Sequence, residues 1–112
     1  MSSISGGILS SISGAQHFAY TRELDNYLAT TEDFIIEMAH LSGGKIVTLP
    51  SLASTTNGTM FIVSNTGGGT ARIRPQVGED INGTLQWQLS NQYDSAIVVK
   101  GNTEWLVVGE QV

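Results

Sequence analysis

Seven short runs of strand-forming residues, each closed by a turn signal, recur along this chain at intervals of roughly 8–12 residues, and that rhythm limits it to an all-β fold. Phe34–Ala39 is followed by the turn Ser42-Gly43-Gly44, and Lys45–Leu49 stops at Pro50, which has no N–H to give a ladder. Asn57-Gly58 opens Thr59–Val63, and Thr70–Arg74 stops at Pro75. The glycines of the intervening loop, Gly67-Gly68-Gly69, are expected to supply positive φ. Asn82-Gly83 precedes Thr84–Leu89, where Leu85, Trp87 and Leu89 alternate with Thr84, Gln86 and Gln88 as on a half-buried strand. Ser95–Val99 and Trp105–Val108, joined by the turn 101–104, close the series. The pattern predicts a small antiparallel β-sandwich or barrel.

The region before these runs is less regular. Tyr20, Leu24, Tyr27 and Leu28 have helical spacing, but Asn26 and Thr30-Thr31 oppose a long helix, so a short strand around Leu24–Ala29 is favoured. Residues 1–19 are rich in Gly and Ser and repeat Ile4-Ser5-Gly6 as Ile12-Ser13-Gly14. Ile4, Ile8, Leu9 and Ile12 are too apolar for an idle linker. They point to a flexible or extended N-terminal arm that orders against a neighbouring subunit, with a reach of roughly 60 Å. Residues 20–112 then form a single β-domain.

Only 13% of the residues are charged, and the net charge is −5. The basic residues are Arg22, Arg72, Arg74, Lys45 and Lys100, of which only Arg72 and Arg74 are close in sequence. That is too sparse for nucleic acid or an anionic membrane. No apolar run approaches the roughly 20 residues that span a bilayer, and Met1–Ser13 has no positive n-region. The expectation is synthesis and retention in a cytoplasm, with exit only as part of a larger particle.

Catalytic signals are missing. With no Cys and only His17 and His40, neither flanked by a second ligand at metal spacing, no cofactor or metal is expected. Asp94-Ser95 has no His near it in sequence, and Glu32-Asp33 and Glu79-Asp80 sit at turns, where solvated carboxylates are ordinary. Gly67-Gly68-Gly69 lacks the Gly-Lys-Ser/Thr ending of a phosphate loop. The chain reads as a non-enzyme. Asp80-Ile81-Asn82-Gly83 is a turn that lets Ile81 point inward, and Tyr93 and Trp105 are expected to plug the ends of the core with their polar atoms at an edge.

The order of motifs from Asp33 to Val108 resembles a repeat module of tailed-bacteriophage structural proteins. The residues that carry it are Thr48-Leu49-Pro50-Ser51, Phe61-Ile62-Val63-Ser64-Asn65-Thr66-Gly67, Asp80-Ile81-Asn82-Gly83 (Asn where the family usually has Asp), Leu89-Ser90-Asn91-Gln92-Tyr93-Asp94-Ser95 and Gly101-Asn102-Thr103-Glu104-Trp105. The resemblance implies a virion structural protein. Because the module is nearly the whole chain, a homotrimeric capsid decoration (cement) protein, bound to the major capsid protein or other virion proteins, is the leading expectation. A small tail protein of fibre, needle-tip or baseplate type is the alternative. A third reading, of a different class, is a carbohydrate-binding adhesin that meets a host glycan at Asn91, Gln92, Tyr93 and Asp94. Apolar residues on both parities of Phe61-Ile62-Val63 and Ile97-Val98-Val99 suggest strands covered on two faces, one by the core and one by a neighbour.

Overall fold

A computed structural model describes residues 17–112. The arm residues Ile4, Ile8, Leu9 and Ile12 lie outside the described residues. The strands are β1 (Tyr20–Glu23), β2 (Tyr27–Leu28), β3 (Ile35–Met38), β4 (Lys45–Thr48), β5 (Met60–Asn65), β6 (Ala71–Arg74), β7 (Trp87–Leu89), β8 (Ser95–Lys100) and β9 (Trp105–Gln111), with one 3₁₀ turn at Leu52–Ser54. They form a five-stranded sheet in the order β9-β8-β5-β3-β1 and a four-stranded sheet in the order β2-β4-β6-β7. The chain is all-β.

The expected antiparallel pairing holds for only part of the molecule. β1, β3 and β5 run parallel to one another in the larger sheet, as do β2, β4 and β6 in the smaller. Up to Arg74 the chain therefore winds, visiting one sheet and then the other, in three successive coils. Parallel neighbours need a crossover, and here each crossover is a strand of the opposite sheet. The Gly-rich turns at 42–44 and 67–69 look in sequence like hairpin turns, but they carry the chain between sheets. From β7 onward the pairing is antiparallel: β7 on β6, β8 on β5, and β9 on β8.

Burial alternates as pleated strands require. In β3, β5 and β8 the buried positions include Ile36, Met38, Phe61, Val63, Ala96 and Val98. Val47, Leu49, Ala71, Ile73 and Leu89 from the smaller sheet join them in one buried cluster, together with Ile81 and Trp105. The Phe61 and Trp105 rings pack with centroids 5.7 Å apart. Trp105 fills the core as expected, but its Nε1 is buried, without a partner among the described residues, rather than placed at an edge. Thr84–Leu89 is a strand only from Trp87, and Leu85 is 75% exposed. The start of the expected strand, Thr84, is taken up instead in closing the Asn-Gly turn. Asn82 (φ 48°) and Gly83 (φ 74°) are both left-handed, Ile81 and Thr84 exchange backbone hydrogen bonds of 2.9 Å, and Ile81 is buried. This is the type I′ geometry that Asn-Gly favours. Pro50 and Pro75 follow closely on the ends of β4 and β6, as expected.

The coils touch most closely at the turns. Gly68 N donates to His40 O at 2.9 Å and Lys45 N to Thr70 O at 3.0 Å. A Cβ on Gly67, Gly68 or Gly69 would lie 2.1, 2.4 or 1.8 Å from the carbonyl oxygens of His40, Leu41 and Gly43. None of the three has the expected positive φ. They are glycines because one coil's backbone rests directly on the next.

Candidate binding surface

Asn65, the last residue of β5, is buried and organises the loops at this end. Its Nδ2 donates to Gly69 O (2.8 Å) and Leu89 O (3.1 Å), and its Oδ1 accepts from Gly67 N (3.1 Å). Its main chain holds the 91–94 turn, with Asn65 N donating to Asp94 O at 2.9 Å and Tyr93 N donating to Asn65 O at 2.5 Å. Within that turn Asp94 accepts from Asn91 N at 2.9 Å and is buried. Gln92 is fixed by donation to Thr66 O at 3.1 Å. Tyr93 does not plug the core. It is 68% exposed, and it adopts φ 74°, a left-handed conformation that costs a non-glycine residue about 1–2 kcal/mol.

Gln92 and Tyr93 line a surface depression of about 600 Å³. Residues of earlier coils line it with them: Arg22 of β1, Glu37 of β3, Leu41 and Thr66. Arg22 and Glu37 are cross-strand partners on the outer face of the larger sheet. The Glu37 carboxylate accepts from the hydroxyls of Thr66 (2.5 Å) and Tyr20, and Arg22 Nε lies 3.7 Å from it. The Thr66 bond first, and then the Tyr20 bond, hold the Glu37 carboxyl below the usual range; the same contact with Glu37 raises the Tyr20 phenol. Elsewhere, burial followed by a hydrogen bond to Asp33 pushes the Tyr27 phenol up to about 12.

A lowered carboxyl stabilises the fold fully above its ordinary value of 4.5, and that stability is lost as pH falls through the lower folded value. Glu37→Gln is therefore expected to flatten the acid side of a stability–pH curve measured by urea unfolding. Asp25, held low by the Asn26 N–H and then Lys45, keeps part of the acid dependence. An acid limb in Glu37→Gln as steep as in the parent would show that these hydroxyl bonds do not act on folding.

Of the four residues read from sequence as a recognition cluster, Gln92 and Tyr93 thus reach the depression. Asn91 is exposed beside it, and Asp94 is turned inward to close the loop. Arg22, Glu37 and Thr66 were not anticipated, because strand stacking rather than proximity in sequence brings them there. The only hint was the Tyr20–Arg22 alternation, repeated at Ile35–Glu37 in the next coil.

His40 is buried at the same depression, with Nε2 3.1 Å from Thr70 O and Nδ1 without a partner among the described residues. Among the described residues no group of three or more His, Asp or Glu is placed to hold a metal ion, and no helix is long and apolar enough to cross a membrane.

The outer face of the larger sheet is a second surface. Tyr20, Ile35, Ile62, Ile97 and Gly109 form one row across all five strands. Met60, Val99 and Leu106 form another on the antiparallel side. Each side chain in these rows is half-buried or exposed. No family model matches the chain, and no curated protein matches it.

Proposed function

We propose that this chain is a structural assembly protein that packs against further copies of itself. In the setting that the sequence resemblance implies, it is a homotrimeric decoration protein of a tailed-phage head, seated on the major capsid protein. Its two sheets form a small β-sandwich. The observation that supports this reading is the apolar outer face. Ile35, Ile62 and Ile97 lie side by side on the face that points away from the core. An antiparallel or mixed sheet with one solvated face ordinarily carries polar residues there, and contiguous exposed apolar patches mark interaction sites. The neighbouring row, Arg22, Glu37, Ser64, Ser95 and Gln111, pairs its one cation with its one carboxylate. Such a face selects no partner of opposite charge. A second copy, presenting the same apolar row, is its natural match, and closed cyclic packing would bury it.

Native mass spectrometry of the full chain is expected to show a trimer. Ile62→Lys, which places a charge at the centre of the row, is expected to give a folded monomer with an unchanged far-ultraviolet spectrum. A parent protein that stays monomeric at millimolar concentration, or an Ile62→Lys trimer as stable as the parent's, would overturn the reading.

A further inference from the structure

We propose that the depression between Tyr93 and Glu37 is a binding site for a neutral, hydroxyl-rich ligand, a small saccharide. Three independent features carry it. Tyr93 is a large aromatic residue held in left-handed backbone and turned out to solvent, where glycine would sit without strain. Backbone strain that persists at an exposed position, locked here by the Asn65 and Asp94 hydrogen bonds, is characteristic of functional sites. Second, the polar groups that line the depression with Tyr93 are preorganised. Thr66, Tyr20 and Arg22 fix the Glu37 carboxylate, and the Gln92 amide is tied through its nitrogen, leaving its oxygen as an acceptor. Third, the depression is of ligand size, since small-molecule sites run about 300–1,000 Å³, and Leu41, 88% exposed, adds an apolar edge.

The chemistry of the walls selects the ligand. The Glu37 carboxylate lies 3.7 Å from Arg22 Nε and offsets its charge, so the depression presents no net positive charge to a phosphate or sulfate while the remaining guanidinium N–H groups can still donate. The lining of this depression mixes polar and apolar groups, which does not suit a hydrophobic side chain. A sugar ring presents an apolar C–H face, which the Tyr93 ring can stack against. Its hydroxyls both donate and accept, so adjacent hydroxyls can bridge the guanidinium and the carboxylate while another donates to Gln92. The site borders the face assigned to assembly, since Arg22 and Glu37 stand in the row beside the isoleucines and Tyr20 in the isoleucine row itself. The oligomer mass of each variant, measured alongside, separates loss of the saccharide site from loss of the assembly face.

The test is a glycan array of neutral and N-acetylated oligosaccharides probed with the full chain, with each hit titrated by calorimetry. The parent is expected to bind at least one neutral saccharide, and Gln92→Ala and Glu37→Gln to weaken that binding by about tenfold or more. Tyr93→Gly is the decisive variant. It relieves the strain, so its melting temperature should be unchanged or higher while saccharide binding is lost. No hit on the array overturns the proposal. So does a Tyr93→Gly protein that melts well below the parent, because the ring would then be structural, or one that binds as the parent does.

Discussion

Gly69→Ala is expected to destabilise the fold by about 3 kcal/mol or more, which a thermal scan would read as a loss of at least roughly 12 °C. The new methyl carbon would start 1.8 Å from the Gly43 carbonyl oxygen and 2.8 Å from its carbon. Both are backbone atoms, so no side chain can swing aside. The two coils must part, and parting them stretches the hydrogen bonds Gly68 N to His40 O and Lys45 N to Thr70 O. Gly58→Ala is the matched control. Gly58 has φ +90° but nothing within 4 Å of its added Cβ, so it reports backbone strain alone, about 1 kcal/mol. If the two variants lose the same stability, close stacking of the coils is not what demands glycine at position 69.

Asn65→Ala is expected to cost about 3 kcal/mol by a different route. Removing the amide leaves the Gly67 N–H and the Gly69 and Leu89 carbonyls without this partner in a buried place. Each buried polar group left unsatisfied costs about 1–3 kcal/mol. The effect should also spread in a defined pattern. Hydrogen exchange ought to accelerate at Gly67 and in the 91–94 turn while the centre of β5 keeps its protection relative to global unfolding. A loss under 1 kcal/mol would mean that the carbonyls find other partners and that Asn65 is not the hub.

How much of this was legible in the sequence differs by feature. Strand positions followed from local chemistry: the prolines after β4 and β6, the Asn82-Gly83 turn and the strand-forming runs of β5 and β8 are decided within a few residues. Strand partners were not. An apolar run such as Phe61-Ile62-Val63 fits a parallel or an antiparallel neighbour equally well, since both ladders use the same extended backbone. The glycine triplet misled for a related reason. Glycine serves left-handed turns and close backbone approach alike, and only the neighbouring coil shows which is needed. Apolar residues of both parities did foretell the outer face of Ile62 and Ile97. For the depression, Gln92 and Tyr93 were visible as a polar-aromatic cluster. Glu37 was not, because an acidic residue in an apolar strand gives no sign of the hydroxyls that will hold it.

The switch from parallel winding to antiparallel closure also sets an order of events during synthesis. A nascent chain that has emerged as far as Arg74 can wind its three coils, but β5 and β6 then present bare edges, because their partners β8 and β7 are made last. At translation rates of about 5–20 residues per second, β8 and β9 follow only after some seconds. During that interval the apolar edge of Met60–Asn65 is open to strands of other chains. Slow codons downstream of Arg74, or a stop within β8, would therefore be felt first as aggregation, before any loss of the finished molecule's stability.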